Sequence, residues 1–134
     1  MIWEKRRRVL MQKLLFEPAW DKALASQDRE YIKKIFEETK DAAPEDAISS
    51  AVLRKAVNHK GERLVTVLIH NRSSEEEVFH DRTVELQKED GSSEEKAFTL
   101  PIAVPPYTSM PWTFIFPAKE AEEDFVTQNI KLIS

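Results

Sequence analysis

The feature that most restricts the fold is the run Trp112-Thr113-Phe114-Ile115-Phe116. A strand turns successive side chains to opposite faces, so this run sets three aromatic rings on one face. Each ring buries about 150–250 Å², which makes that face a core face and the strand the anchor of the domain. Such a face needs a second layer to cover it.

The rest of the chain supplies that layer in short pieces. Arg63 to His70 carries Leu64, Val65, Val67, Leu68 and Ile69 and is apolar on both faces, as a central strand is. A strand over about 48–58 precedes it, joined through the turn His59-Lys60-Gly61-Glu62. Asn71 to Glu77 reads as a solvated acidic loop. Val78-Phe79 and Thr83 to Gln87 resume a period of two, and a turn over 89–93 leads to a short strand over 96–100. Three prolines between Pro101 and Pro106 favour an extended crossing between sheets. Phe125 to Ile133 adds a last strand after a charged, helical-looking stretch over 118–124.

Before the strands, Tyr31, Ile32, Ile35 and Phe36 recur at helical spacing, which predicts one amphipathic helix over about 27–39, with Ser26 placed to cap it. Asp-Ala-Ala-Pro at 41–44 ends it. Residues 9–16 are apolar and stop at Glu17-Pro18, which predicts a short strand, with a helix start as the competing reading. With 134 residues, the expectation is one domain over 1–134, mainly β, an Ig-like antiparallel β-sandwich with one N-terminal amphipathic helix.

Charge and residue usage then narrow the function. A net charge of −4 argues against nucleic acid, which demands a basic face to neutralise phosphates. The absence of cysteine removes disulfides and thiolate chemistry and agrees with a reducing compartment. The N-terminus has positive charge ahead of apolar residues, but Gln12 and Lys13 interrupt the apolar run and no small-residue cleavage site follows before Pro18. It is therefore not read as an export signal, and a cytoplasmic location is expected. No stretch has the roughly 18 apolar residues a membrane-spanning helix requires.

Catalytic chemistry finds little to stand on. His59, His70 and His80 have no metal-ligand spacing, and the acidic runs at Glu75 to Glu77 and Glu94-Glu95 lack the spacing of a calcium loop. The two glycines, Gly61 and Gly91, both fall in hairpin turns, so no phosphate-cradling loop exists. No cofactor is expected. His70, at the end of a buried strand, is read as a hydrogen bond closing the sheet edge, and Trp20 and Trp112 as core residues. A hydrolase site assembled from Ser109, His70 and Asp81 is an alternative that no motif supports.

The segment Val104-Pro105-Pro106-Tyr107-Thr108-Ser109-Met110-Pro111-Trp112-Thr113-Phe114-Ile115-Phe116 resembles the closing segment of the SLAP domain, a Pro-Pro followed by Ser-x-Pro-Trp-x-Phe. Phe16-Glu17-Pro18-Ala19-Trp20-Asp21 is similar to that family's Phe-x-Pro-x-Trp opening, and Val67 to Asn71 resembles its apolar strand, giving coverage of about 10–117. The chain departs from the pattern at Met110 and His70, where arginine is usual, so charge-dependent contacts do not carry over at those positions. The resemblance implies a module of Gram-positive bacilli associated with S-layer assembly and the accessory Sec pathway, with no catalytic residues to transfer.

The leading expectation is therefore a non-enzymatic protein-binding module, with a secretion or envelope component as partner. Its candidate contacts are Pro105, Pro106, Tyr107 and Met110 in the proline-rich approach, together with Arg6, Arg7 and Arg8. An alternative is weak peripheral membrane contact through Ile2, Trp3 and the cluster from Lys5 to Arg8. Edge strands also leave a homodimer open.

Overall fold

The computed structural model describes residues 12–41, 47–87 and 91–118, and the backbone of 129–132. In chain order the elements are β1 (Lys13–Leu14), α1 (Pro18–Ala23), α2 (Ser26–Thr39), β2 (Ile48–Val57), β3 (Arg63–Asn71), β4 (Arg82–Gln87), β5 (Ser93–Phe98), β6 (Thr108–Phe116) and β7 (Asn129–Leu132). They form a four-stranded sheet in the order β1-β6-β3-β2 and a three-stranded sheet in the order β5-β4-β7. The mainly-β, two-sheet expectation holds. Every named strand pairing is antiparallel but one, since β1 runs parallel to β6.

The aromatic alternation lands where the period placed it. Phe114 and Phe116 are fully buried between the sheets, with Val65, Val67 and Ile69 of β3 beside them and Val84, Leu86 and Phe79 opposite. Phe98 seals the contact edge-on, with ring centroids 4.9 Å from Phe114 and 5.4 Å from Phe116, a geometry the ring quadrupole favours. Trp112 is only partly buried, at the margin of this core.

The other face of the larger sheet is covered by α2. Ile32 and Phe36, one turn apart, pack on Leu53 and Leu68, with Leu14, Phe16, Leu24 and Ile35 around them. The helix begins at Ser26, but its cap residue is Ala25 and makes no side-chain cap bond, so the expected Ser26 cap is not formed. Its C-terminus is better secured. The Arg72 guanidinium donates to the Thr39 and Lys40 carbonyls at 3.1 and 3.0 Å, groups a helix end leaves without intrahelical partners.

Pro18 is where the sequence reading needs correction. It opens α1, a second helix, because a proline at the first helical position loses only an amide hydrogen that had no partner. The Glu17 carboxylate accepts from the amides of Ala19 and Trp20 at 2.7 and 3.2 Å and completes the cap. Of the strand expected over 9–16, Lys13 and Leu14 pair, and residues 9–11 lie outside the described residues. The hairpin turn forms as read: Asn58 Oδ1 accepts from the amides of Lys60 and Glu62 at 3.0 Å each, and Gly61 takes a φ of 80°. The strand expected at the C-terminus is β7, paired with β4, whereas the helical stretch expected over 118–124 falls outside the described residues from 119 onward.

Candidate functional site

The candidate site is a groove on the helix-covered face of the larger sheet, and three local features build it. The first is a length mismatch. A 14-residue helix is about 21 Å long, whereas the ten residues of β2 span about 33 Å. Even laid along the strands, α2 leaves part of the face uncovered.

The second feature is a bulge in β2. Val52 pairs with Val67 and Arg54 with Thr66, so Leu53 is an extra residue in the ladder. Leu53 packs into the helix-side cluster while the next residue, Arg54, lines the groove. Tyr31 donates its hydroxyl to the Leu53 carbonyl at 3.0 Å, so the helix is tied to the bulge itself. The third feature is Trp20 on α1, whose ring centroid lies 6.3 Å from that of Trp112.

The resulting groove has a volume of about 280 Å³ and is lined by Trp20, Leu24, Asp28, Tyr31, Ile32, Leu53, Arg54, Ala56, Leu64, Thr66 and Thr113. Its floor is apolar apart from Thr66 and Thr113, whose hydroxyls bond each other at 2.7 Å. Arg54 and Asp28 pair across the rim at 3.2 Å and neutralise each other. An apolar side chain therefore meets no unbalanced charge inside. On β6, Ile115 is 40% exposed and pairs with Leu64 of the groove lining.

The edge of β6 has an equally specific state. Lys13 and Leu15 donate their amides to the carbonyls of Tyr107 and Ser109, both at 2.9 Å, so the odd-numbered residues of β6 aim their backbone groups at the edge. The next amide a parallel partner would use belongs to residue 111, a proline, and the ladder stops there. Beyond it the Ile115 carbonyl accepts from Lys96 Nζ at 3.0 Å. No described strand pairs with Thr113 on this side.

Residues 14–133 match the family model described as the SLAP domain. This chain belongs to the SLAP domain family. No curated protein and no solved structure matches it. In this SLAP domain the proline-rich approach and the aromatic strand lie on opposite sides of one decision: Pro106 is exposed and Pro105 and Tyr107 are half-buried, whereas Met110 is fully buried in the inter-sheet core. Met110 therefore offers a partner no surface in this fold, which corrects its place among the candidate contacts. Tyr107 adopts a φ of 51°, uncommon for a residue with a Cβ, at the turn into β6. Arg6, Arg7 and Arg8 lie outside the described residues.

The SLAP domain does bring Ser109 and His70 together, with Oγ and Nδ1 2.6 Å apart, but both are buried. The other ring nitrogen meets the Thr39 hydroxyl at 2.8 Å, and no carboxylate takes that position. Asp81 stands on an exposed turn 3.8 Å from His80. Burial, with the Arg72 charge adding to it, pushes the His70 pKa down to about 4, so the ring is neutral at pH 7 and serves the hydrogen-bond role expected of it. Trp20, read as a core residue, instead forms part of the groove wall. Among the described residues, no group of three or more His, Asp or Glu is placed to hold a metal ion, and no helix is long and apolar enough to cross a membrane.

Proposed function

We propose that this SLAP domain is a non-catalytic protein-binding module of the cytoplasm, accessory to secretion or S-layer assembly, that takes an extended polypeptide onto the β6 edge and seats one bulky apolar side chain in the groove. The observation that carries the reading is the juxtaposition of the two surfaces at Thr113, which both lines the groove and leaves its edge-directed backbone groups without a partner strand among the described residues. Strand addition supplies affinity through backbone hydrogen bonds, and an adjacent pocket supplies selectivity. Family membership points to the secretion and envelope setting.

The test places a photo-crosslinking phenylalanine analogue at Ile115, on β6 beside the groove residue Leu64, in the full chain within its native cells, and at Val78, an exposed apolar residue outside β6 and the groove, in a parallel strain. The expected outcome is an adduct with a secretion substrate or envelope component from position 115 alone, abolished by the additional substitution Trp20→Ala. Equal adducts from both positions, or none from position 115, overturn the reading.

A further inference from the structure

Beyond the groove, the buried His70 imidazole and Ser109 hydroxyl and the half-buried Thr39 hydroxyl form a chain in which every hydrogen has one place. Thr39 Oγ1 lies 2.7 Å from the Ile35 carbonyl and gives its single hydrogen there. Toward His70 Nε2, 2.8 Å away, it can then only accept, which places the ring proton on Nε2. Nδ1 is therefore the acceptor and takes the Ser109 hydrogen across 2.6 Å. Ser109 Oγ in turn accepts from Gln12 Nε2 at 3.2 Å, and the other Gln12 amide hydrogen goes to the Asn71 carbonyl at 2.8 Å. The tautomer is assigned by this network.

The chain ends beside the most lightly held strand of the sheet. β1 has two residues, is held by the amides of Lys13 and Leu15, and cannot extend past Pro111. We infer that the Gln12–Ser109–His70–Thr39 chain is a proton-sensitive latch, and that protonating His70 in acid releases β1 from the edge of β6 while the two-sheet core stays folded.

The reason lies in the hydrogens. A second ring proton, on Nδ1, must donate to Ser109 Oγ, whose own hydrogen then loses its acceptor in a fully buried position. Turning the Gln12 amide to accept that hydrogen withdraws the donor from the Asn71 carbonyl. Either way a buried polar group is left unpaired, and the rearrangement reaches the residue next to β1. The charges around the ring do not offset the new one. Arg72, the residue after β3, is a cation held on the end of α2, and Lys40, the α2 cap residue, stands over the Phe36 ring at 5.7 Å and pairs with Glu37 at 2.8 Å. Ser109 of β6 and Gln12, the residue before β1, which complete the chain, are both neutral. Burial, with the Arg72 charge adding to it, holds the His70 pKa down at about 4, and this sets the range in which the latch opens. Release would free the Tyr107 and Ser109 carbonyls and lengthen the open edge of β6.

The test is an NMR titration of the full chain from pH 7 to pH 3.5. It follows the His70 ring signal, the cross-strand proton contacts between Leu14 and Ser109, and those between Val67 and Trp112 as the internal reference. The expected result is loss of the Leu14–Ser109 contacts with the midpoint of the His70 ring, the Val67–Trp112 contacts remaining. In His70→Asn, whose side-chain oxygen can still accept from Ser109 but does not titrate, β1 should stay in place at pH 4. Persistence of Leu14–Ser109 contacts after His70 is protonated, joint loss of both sets, or release of β1 from folded His70→Asn at the same pH overturns the inference. If that variant does not fold, the wild-type titration decides.

Discussion

The two faces of β6 differ sharply in burial. Toward the second sheet, Met110, Phe114 and Phe116 have no exposed area, and Phe98 closes over the last two rings. Toward the helices, burial declines along the strand, from buried Pro111 through half-buried Thr113 to exposed Ile115. One strand thus carries a sealed face and a graded one. The difference comes from the covering layers: a sheet spreads across its neighbour, whereas one 14-residue helix and one of six residues cover only what lies under them.

The sharpest break of this comparison is Phe114→Ala, which should cost about 3–5 kcal/mol by leaving a cavity between the sheets, measured by urea denaturation. Next comes acid. The folded His70 pKa of about 4 lies below the ordinary value of 6.5, so the unfolded chain binds its proton more readily. The stability contributed by the neutral ring is complete above pH 6.5 and is lost as pH falls toward 4, by about 3 kcal/mol in all. Denaturation of the wild type and of His70→Asn at pH 7 and pH 4 should give that difference between their pH responses; equal responses would assign the loss to carboxylates.

On the graded face the effects shrink. Tyr31→Phe strips the bulge carbonyl of Leu53 of its donor and should cost about 1 kcal/mol, visible as a lowered urea midpoint with an unchanged slope. Smallest of all, Ile115→Lys should alter stability by no more than about 0.5 kcal/mol while removing partner capture through the groove. A large loss of stability there would mean that the face is part of the core after all.

Much of the fold was legible because it is periodic. The β6 aromatics, the doubly apolar β3 and the Ile32–Phe36 stripe each follow from a spacing of two or of about four. Met110 was legible by the same rule, since it shares the parity of Trp112, Phe114 and Phe116; assigning it to the proline-rich approach hid it. An edge strand tolerates a proline whose missing amide hydrogen faces outward, so the alternation runs through Pro111. Pro18 was misread for a related reason, because its effect depends on whether the chain is entering a helix or leaving a strand. The groove was not legible. It rests on the β2 bulge, which is a property of the register between two strands, and on Trp20 reaching the sheet from a separate helix. The Ser109–His70 contact joins residues 39 positions apart, and no local spacing announces it.

Pro111 has a consequence for time as well as shape. With a proline on one side and the Lys96 ammonium on the Ile115 carbonyl on the other, a visiting strand finds only a few backbone groups to hold. A ladder that short cannot zip onward along the sheet, so it gives neither a fibre nor a permanent complex. For the strand-addition mode proposed above, it would permit brief occupancy with a fast departure.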